Sequence, residues 1–423
     1  MNRIDAYAAL RHPFVRAFAA ARFFSLTGQT ILSVAVGWQL YERTNSAWAL
    51  GLTGLFEIAP VLLLLVVTGN VVDRFPRRNV GMFAHAILAL AAIGLTVVSM
   101  TAAPVEVIFA MLVLVGTARS FAQPSMGTIL PQLLKPEEFA NANAWVSSAV
   151  QLASVGGPAL GGAIIAFSGG ATGAFAFAAF TQFSVIALLF LVPKVPAQPS
   201  DPESRKTPAQ IFAGFRFVRQ NPLFLSAITL DLFAVLLGGA VALLPIYAKD
   251  ILHVGPVGLG WLRAAPSFGA LLMALVVTRL PPWKQPGRVL LIVVAGFGVA
   301  TIGFGLSTNF YLSMMCLFLT GMFDSVSMVI RSTLEQVITP DRLRGRVSAI
   351  NYLFIGFSNE FGMFESGTTA ALFGPIVSVV GGGIGTVAVV VMVAFVWPQL
   401  ARIGPLHHLT PQDPEDLEVR VKM

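Results

Sequence analysis

Charged residues are scarce in this chain of 423 residues. Asp, Glu, Lys and Arg together make up 11% of it, whereas 56% of the residues are hydrophobic and the mean hydropathy is +0.79. A water-soluble globule of this size carries far more charge on its surface, so that class of protein is excluded. We therefore expect the lipid bilayer to be the solvent of the chain.

Cysteine is almost absent as well. The one cysteine, Cys316, lies inside an apolar run, which excludes an intrachain disulfide and a cysteine-based metal cluster. The sequence also lacks an HExxH motif, a nucleotide-binding loop and a grouping of Ser, His and Asp of the kind that enzymes use. We expect no enzymatic activity, no cofactor and no metal site.

Long apolar runs fill most of the chain. A membrane-spanning helix needs about 20 apolar residues, and two sets of six such windows are separated by a polar stretch. The windows are 14–41, 48–72, 79–100, 105–125, 140–167, 170–192, 223–248, 257–280, 288–305, 309–330, 345–373 and 375–397. This pattern predicts an all-α membrane protein with 12 transmembrane helices in two six-helix bundles.

The polar stretch between the two sets predicts the domain boundaries. We expect an N-terminal bundle at 1–192, a cytoplasmic linker at 193–221, a C-terminal bundle at 222–400 and a cytoplasmic tail at 401–423. At the end of the linker, apolar residues lie opposite Arg216 and Arg219 at helical spacing. This segment is either an amphipathic helix on the inner membrane face or an early start of the seventh span.

The basic residues predict the orientation of the spans. With the N-terminus inside, 22 of the 27 Lys and Arg residues fall in inner segments, two in outer loops and three within spans. Because cytoplasmic loops carry the excess of Lys and Arg, we expect both termini in the cytoplasm and a multi-pass protein of the inner (plasma) membrane. The net charge of +7 is spread over short loops, so no nucleic-acid partner is expected.

The two halves of the sequence repeat each other. The segment LPQLLKPEEF from Leu130 recurs as LEQVITPDRL from Leu334, and GLFEIAP from Gly54 recurs as GWLRAAP from Gly260. Each half has an even number of spans, so the repeats share one orientation and are related by an axis along the membrane normal. The repeat predicts two pseudo-symmetric bundles, a solute site between them near the midplane, and transport by alternating access.

The loop after the second span reads GNVVDRFPRR. It is similar to the G-x-L-A-D-R-x-G-R-R signature of the major facilitator superfamily, with departures at Asn70 and Pro76. The resemblance implies the twelve-helix fold of that superfamily and a gating role for this loop. The expected gating residues are Gly69, Asp73, Arg74, Arg77 and Arg78. Gly69 would let the helix approach a neighbour, Asp73 would meet a helix N-terminus, and the arginines would anchor the loop at the inner headgroups. A simple positive-inside loop would explain the arginines but not Asp73.

The fifth span contains GGPALGG, which resembles the GPxxGG motif of proton antiporters, although Ala153 stands where a glycine is expected. The motif residues are Gly157, Pro158, Gly161 and Gly162. Glycines permit close contact between helices, and proline adds a kink. Further segments, ARFFSLTG from Ala21, RSFAQP from Arg119 and RLRGRV from Arg342, resemble the branch of the superfamily that holds enterobactin exporters and macrolide efflux pumps. The resemblance implies export.

Ionisable residues within spans are costly and indicate function. Under the repeat, Arg22 corresponds to Asp231 and Glu57 to Arg263, with opposite charges in each pair. Arg22 and Asp231 each lie nine residues after the proline that opens their span, at the same depth of about 13 Å. By family resemblance the first and seventh helices face each other. The two residues could therefore form an ion pair that alternates with protonation of Asp231, or each could bind another neighbour and only position its helix.

Other charges within spans allow further interpretations. Arg263 is a second candidate for a cavity ion pair. Glu57 either meets a polar group on the eleventh helix, near Asn359 and Glu360, or is itself the proton site. Glu360 is a further candidate for proton coupling. Asp324 and Arg331, at the inner end of the tenth span, are interpreted as structural, and His85 as a packing residue.

These features together predict a secondary active transporter. We expect proton-coupled efflux of an amphipathic small molecule, a siderophore or a drug, by a monomer whose partners are its solute, protons and membrane lipids. The alternative is a flippase for lysophospholipids or other lipids with the same fold. A lipid substrate would predict a lateral opening between helices and little need for titratable groups.

Overall fold

The computed structural model describes residues 7–195, 215–406 and 409, and these residues are predominantly helical. Most of the predicted linker and tail lie outside the described residues. Residues 215–220 form a short helical segment with Arg216 and Arg219 exposed and with Phe217 and Val218 buried. Asn221 separates this segment from the seventh span, because its side chain accepts a hydrogen bond from Phe224 N and caps the helix that begins at Pro222.

The first half contains six long helices within the described residues. They are α1 Pro13–Thr44, α2 Ala47–Arg74, α3 Arg77–Thr101, α4 Val105–Gly127, α5 Pro136–Ser168 and α6 Ala171–Phe190. Proline opens α1 and α5, where its missing N–H leaves no hydrogen bond unmade. Gly169 ends α5 in the left-handed conformation (φ 69°), which a residue without Cβ adopts at little cost.

The second half repeats this arrangement. Its long helices are α7 Pro222–Leu237, α8 Gly255–Val277, α9 Pro286–Leu306, α10 Phe310–Ile338, α11 Asp341–Phe373 and α12 Pro375–Val396. Across the described residues, 11 helices are long and apolar enough to span a membrane. The one predicted span missing from that set is α11, which is helical for 33 residues but begins with the polar stretch DRLRGR.

Contacts divide the chain into two compact units. The first comprises Met1–Asn45, Leu55–Arg205 and Tyr247–Ala264, and the second comprises Ser46–Gly54, Lys206–Ile246 and Ala265–Met423. In the first unit, α1 packs on α5 and α6, and α3 packs on α4 and α6. In the second, α7 packs on α11 and α12, and α9 packs on α10 and α12. The same four pairings, six helices apart, confirm the pseudo-symmetry that the sequence repeat predicts.

The seventh span differs from its prediction as one helix over 223–248. The α-helix stops at Leu237 and is followed by a 3₁₀ turn at Ala240–Leu243, a short α-turn at Leu244–Ile246 and a π turn at Tyr247–Ile251. The cause is local. A side chain at Gly238 would collide with Phe297 on α9, and one at Gly239 would collide with Ser366 on α11. Two consecutive glycines therefore allow close packing here but do not sustain the helix.

Candidate functional site

A polar cluster lies inside the first unit. The Glu57 carboxylate on α2 accepts a hydrogen bond from Arg119 Nη1 on α4, and Arg119 Nε donates to Gln29 Oε1 on α1 at 3.2 Å. The Glu57 side chain is 9% exposed and that of Arg119 is 29% exposed. Opposite charge and hydrogen bonding offset the cost of desolvating Glu57 within the membrane. The sequence places Glu57 in a span but does not identify Arg119 as its partner.

Gly116 makes this ion pair possible. A Cβ at this position of α4 would lie 2.9 Å from Pro60 Cγ on α2 and closer still to the Glu57 carbonyl oxygen. The two helix backbones therefore approach closely, and Arg119, three residues later, reaches the carboxylate of Glu57. In the second half Gly321 of α10 contacts Pro266 of α8 in the same way.

A small cavity of about 10 Å³ adjoins the ion pair, with polar lining from Gln29, Ser33, Glu57, Arg119 and Gln182. A volume of this size holds about one water molecule, and such a water needs two to four polar partners. The lining supplies these partners. The cavity can therefore place one water between the carboxylate of α2 and the amides of α1 and α6.

One side of α1 is partly accessible. The half-buried residues Arg22, Leu26, Gln29, Ser33 and Gly37 recur at spacings of three and four, whereas most other residues from 25 to 36 are buried. This spacing puts them on one face of the helix. Three of the five are polar, so α1 presents an accessible polar stripe in the middle of a span, as expected of a helix that contacts solute or water.

His85 on α3 is fully buried. Its Nδ1 donates to Gln182 Oε1 at 2.8 Å, and its Nε2 has no hydrogen-bond partner among the described residues. Gln182 also lines the cavity. The interpretation of His85 as a packing residue does not include its hydrogen bond to Gln182 on α6. The sequence alone does not reveal this contact, because the two residues are 97 positions apart.

Residues 247–264 belong to the first unit and form hydrogen bonds with α1, and with Asn45 just after it, at two places. Arg263 Nη2 donates to Ser33 Oγ at 2.7 Å. The Tyr41 hydroxyl donates to the Asp250 carboxylate, and Lys249 Nζ donates to Asn45 Oδ1 at 2.9 Å. Arg263, a cavity candidate from the sequence, therefore reaches the polar stripe of α1.

Three glycines of the antiporter motif make close helix contacts. A Cβ at Gly157 would collide with Thr30 on α1, and one at Gly161 would lie 3.2 Å from the Ile31 Cα. Gly162 faces the other way, where a Cβ would lie 2.9 Å from the Gly260 Cα at the start of α8. Pro158 lies inside the same helix, next to Gly157.

The gating motif lies at the end of α2 and the start of α3. Arg77 donates to the Thr128 carbonyl oxygen at 3.3 Å and Arg78 to the Val192 carbonyl oxygen at 2.8 Å. Both carbonyls follow the last turn of a helix, α4 and α6 respectively, where cations stabilise the helix end. Asp73 Oδ1 lies 4.0 Å from Arg77 Nη2. Its contact with a helix N-terminus, and the roles of Gly69 and Arg74, stay predictions.

A second charged cluster lies inside the second unit. Arg331 Nη1 on α10 binds the Asp231 carboxylate of α7, while Nη2 lies 3.9 Å from Asp324 Oδ1 on α10. Arg331 Nε donates to Ser327 Oγ at 3.1 Å. The structure thus brings together Asp231, a predicted proton-coupling residue, and two residues interpreted from sequence as structural. The pairing of Asp231 with Arg22 stays a prediction.

The second unit contains further acidic residues on α10 and α11. Glu335 on α10 is buried and accepts hydrogen bonds from Ser348 and Asn351 on α11, the latter at 2.7 Å. The Glu360 backbone carbonyl packs against Gly54, and the role of the Glu360 side chain stays a prediction. Within the described ranges, no group of three His, Cys, Asp or Glu side chains is placed to hold a metal ion.

Comparisons with known proteins agree with this architecture. A family model described as transmembrane secretion effector matches residues 4–420. The enterobactin exporter EntS of Escherichia coli O1:K1 is 29% identical over 393 residues, which cover 92% of this chain and 93% of that protein, and EntS of Shigella boydii serotype 18 matches equally.

Solved transporters share the fold at low identity. A bacterial homologue of the human lysosomal transporter Spinster, in an inward-facing and occupied conformation, superposes with a TM-score of 0.70 at 16% identity over 95% of this chain and 98% of that one. A peptide transporter in complex with sulfate gives a TM-score of 0.72 at 13% identity over 93% and 96% of the two chains.

Proposed function

This chain belongs to the transmembrane secretion effector family of the major facilitator superfamily, and we propose that it is a proton-coupled exporter of an amphipathic small molecule, a siderophore or a drug. It is a multi-pass membrane transporter of the inner membrane, as its apolar helices and its relatives indicate. The solute class, the direction of transport, alternating access and the coupling to protons are the proposed parts.

Similarity to the enterobactin exporter over nearly the whole of both chains carries the proposal for export. The contacts of Gly157, Gly161 and Gly162 support it, because they are the close helix contacts for which an antiporter-type motif needs glycine. A siderophore is the first solute class to test, and amphipathic drugs are the second.

Two carboxylates within spans support coupling to protons. Asp231 and Glu57 are both largely buried, and each binds an arginine. A carboxylate of this kind can exist as an ion pair or as a neutral acid, and the exchange between the two changes which helices are held together. We propose Asp231 as the coupling residue and Glu57 as the next candidate.

The experiment uses the purified protein in liposomes with a pH-sensitive dye inside. With an imposed proton gradient, adding enterobactin or an amphipathic drug should change the internal pH in step with transport of the solute. Asp231→Asn should abolish the proton movement, whereas Asp341→Asn, a surface control on α11, should not. Solute transport that proceeds without any proton movement would overturn the coupling.

The same liposomes test the lipid alternative. A flippase would move a fluorescent lysophospholipid between leaflets in the absence of siderophore or drug. Movement of lipid together with no response to either solute class would replace the exporter with the flippase. The proposed cytoplasmic location of both termini is checked by protease access to terminal tags in intact and in permeabilised cells.

A further inference from the structure

The guanidinium of Arg331 lies between two carboxylates of unequal exposure. The Asp231 side chain is 10% exposed, whereas the Asp324 side chain is 48% exposed. Asp324 and Arg331 are seven residues apart on α10, which is two turns of one helix face. The Arg331 side chain runs back along this face, with Nε on Ser327, Nη1 on Asp231 and Nη2 towards Asp324.

We propose that Arg331 is a switch residue that moves from Asp231 to Asp324 when Asp231 takes up a proton. This inference rests on the proposed proton coupling and extends it to two residues of α10. The carboxylate of Asp231 and one proton from water form a neutral carboxylic acid, and the proton returns to water when Arg331 moves back.

The charge of the cluster supports two states. Two carboxylates and one guanidinium leave a net charge of −1, which one proton neutralises. In the first state the buried Asp231 is paired, and the more exposed Asp324 carries the remaining negative charge. In the second state Asp231 is neutral and Asp324 is paired. In both states the buried position of Asp231 holds either a paired charge or a neutral acid, because an unpaired charge buried within a membrane is costly.

The movement between the states is short. Arg331 Nη2 lies 3.9 Å from Asp324 Oδ1, and a charge-assisted hydrogen bond needs about 2.8 Å. A shift of about 1 Å, within the freedom of one arginine side chain, therefore completes the second pair. The shift separates α7 from α10, because the Arg331–Asp231 bond joins these two helices.

Other charged groups near Asp231 are few. Arg331 and Asp324 are the charges that act on its carboxylate. Of the helices that pack on α7, α12 carries no charged residue and α9 carries only Arg288, in its first turn. The first two turns of α11 carry Asp341, Arg342, Arg344 and Arg346, and further along the same helix are Glu360 and Glu365. Gly362, between these two glutamates, contacts Leu236, more than a turn beyond Asp231.

The first unit has no equivalent of this switch. The matching contacts of Gly116 and Gly321 align the halves at a separation of 205 residues. Arg119 then corresponds to Asp324, and the apolar Met126 to Arg331. The shared arginine is therefore a feature of the second unit alone within the described repeat.

The test is a pH titration by infrared spectroscopy of the purified protein in liposomes, together with the pH profile of solute transport. The band of the protonated Asp231 carboxyl is identified as the one that Asp231→Asn removes. In Asp324→Asn, Arg331 has no second carboxylate to bind and stays on Asp231. The midpoint of the Asp231 band and the pH of half-maximal transport should both move about one pH unit lower. Asp341→Asn is the matched control and should leave both unchanged.

The outcomes separate this inference from the proposed function. An Asp324→Asn midpoint that equals that of wild type and of Asp341→Asn overturns the switch, even if transport is coupled to protons. A midpoint shift that depends on Arg331, in a protein whose transport moves no protons, upholds the switch and overturns the coupling. Arg331→Lys keeps the charge but not the three-way geometry, so Asp324→Asn should lower the midpoint by less in the Arg331→Lys background than in wild type. An equal shift in both backgrounds would be the effect of the Asp324 charge alone and would overturn the switch.

Discussion

The antiporter motif offers a matched comparison between two neighbouring glycines of α5. A Cβ at Gly162 would lie 2.9 Å from the Gly260 Cα and 3.0 Å from the Gly260 N, with the Pro256 carbonyl oxygen closer still. A Cβ at Gly156 meets nothing within 4 Å. Both residues lie inside the same helix, so Gly→Ala at either site gains the same helix propensity, up to about 1 kcal/mol.

The expected energies follow from this geometry. The atoms that obstruct a methyl group at Gly162 belong to a backbone, so the two helices must separate by a large fraction of an ångström, and overpacking of this kind costs about 1–3 kcal/mol. Gly162→Ala should therefore be less stable than Gly156→Ala by about 1–3 kcal/mol. The apparent Tm of the two variants should differ by on the order of 5 °C.

Cys316 provides the assay. It is the one cysteine of the chain and is 8% exposed, so a dye that fluoresces on reaction with thiols reports its exposure during heating. Both variants are heated in the same detergent at the same rate, since the apparent Tm of an irreversible transition depends on scan rate. An apparent Tm for Gly162→Ala equal to or above that of Gly156→Ala would refute the close contact with α8.

Three further substitutions test contacts at other places in the two units. Glu335→Gln removes the charge that accepts two hydrogen bonds from α11. Because hydrogen bonds to a charged group contribute about 1.5–3 kcal/mol, the apparent Tm in the same dye assay should fall by several degrees. An unchanged Tm would contradict this role. Tyr41→Phe loses the hydrogen bond to Asp250 and should destabilise the protein by about 1 kcal/mol. In the Asp250→Ala background, where the acceptor is already absent, Tyr41→Phe should add no further loss. Arg78→Gln removes the cation from the Val192 carbonyl and should cost about 0.3–1 kcal/mol, measured by guanidinium or thermal unfolding, whereas Arg78→Lys should recover part of the loss.

The sequence predicts the architecture well because the bilayer imposes a simple rule. Each span needs a long apolar run, and duplication leaves matching residues such as Leu130 and Leu334 at a constant separation. The helix pairings repeat between the halves in the same way. The break after Leu237 is not evident from the sequence, because Gly238 and Gly239 occur in an apolar run and glycines are common in membrane helices.

The identity of charged partners could not be read from the sequence. Hydropathy places Glu57 and Asp231 within spans, and the repeat shows that their counterparts have opposite charge. It does not show that Glu57 binds Arg119 or that Asp231 binds Arg331. Symmetry relates positions in two halves, whereas a bond joins neighbours within a folded unit.

Composition and order along the chain are enough to predict a lipid environment, the helices and the duplication. Which buried charges share a hydrogen bond depends on the folded arrangement of the helices. Helix rotation and approach select those partners, and they depend on small residues such as Gly116, at which two backbones come close enough for a long side chain to reach across.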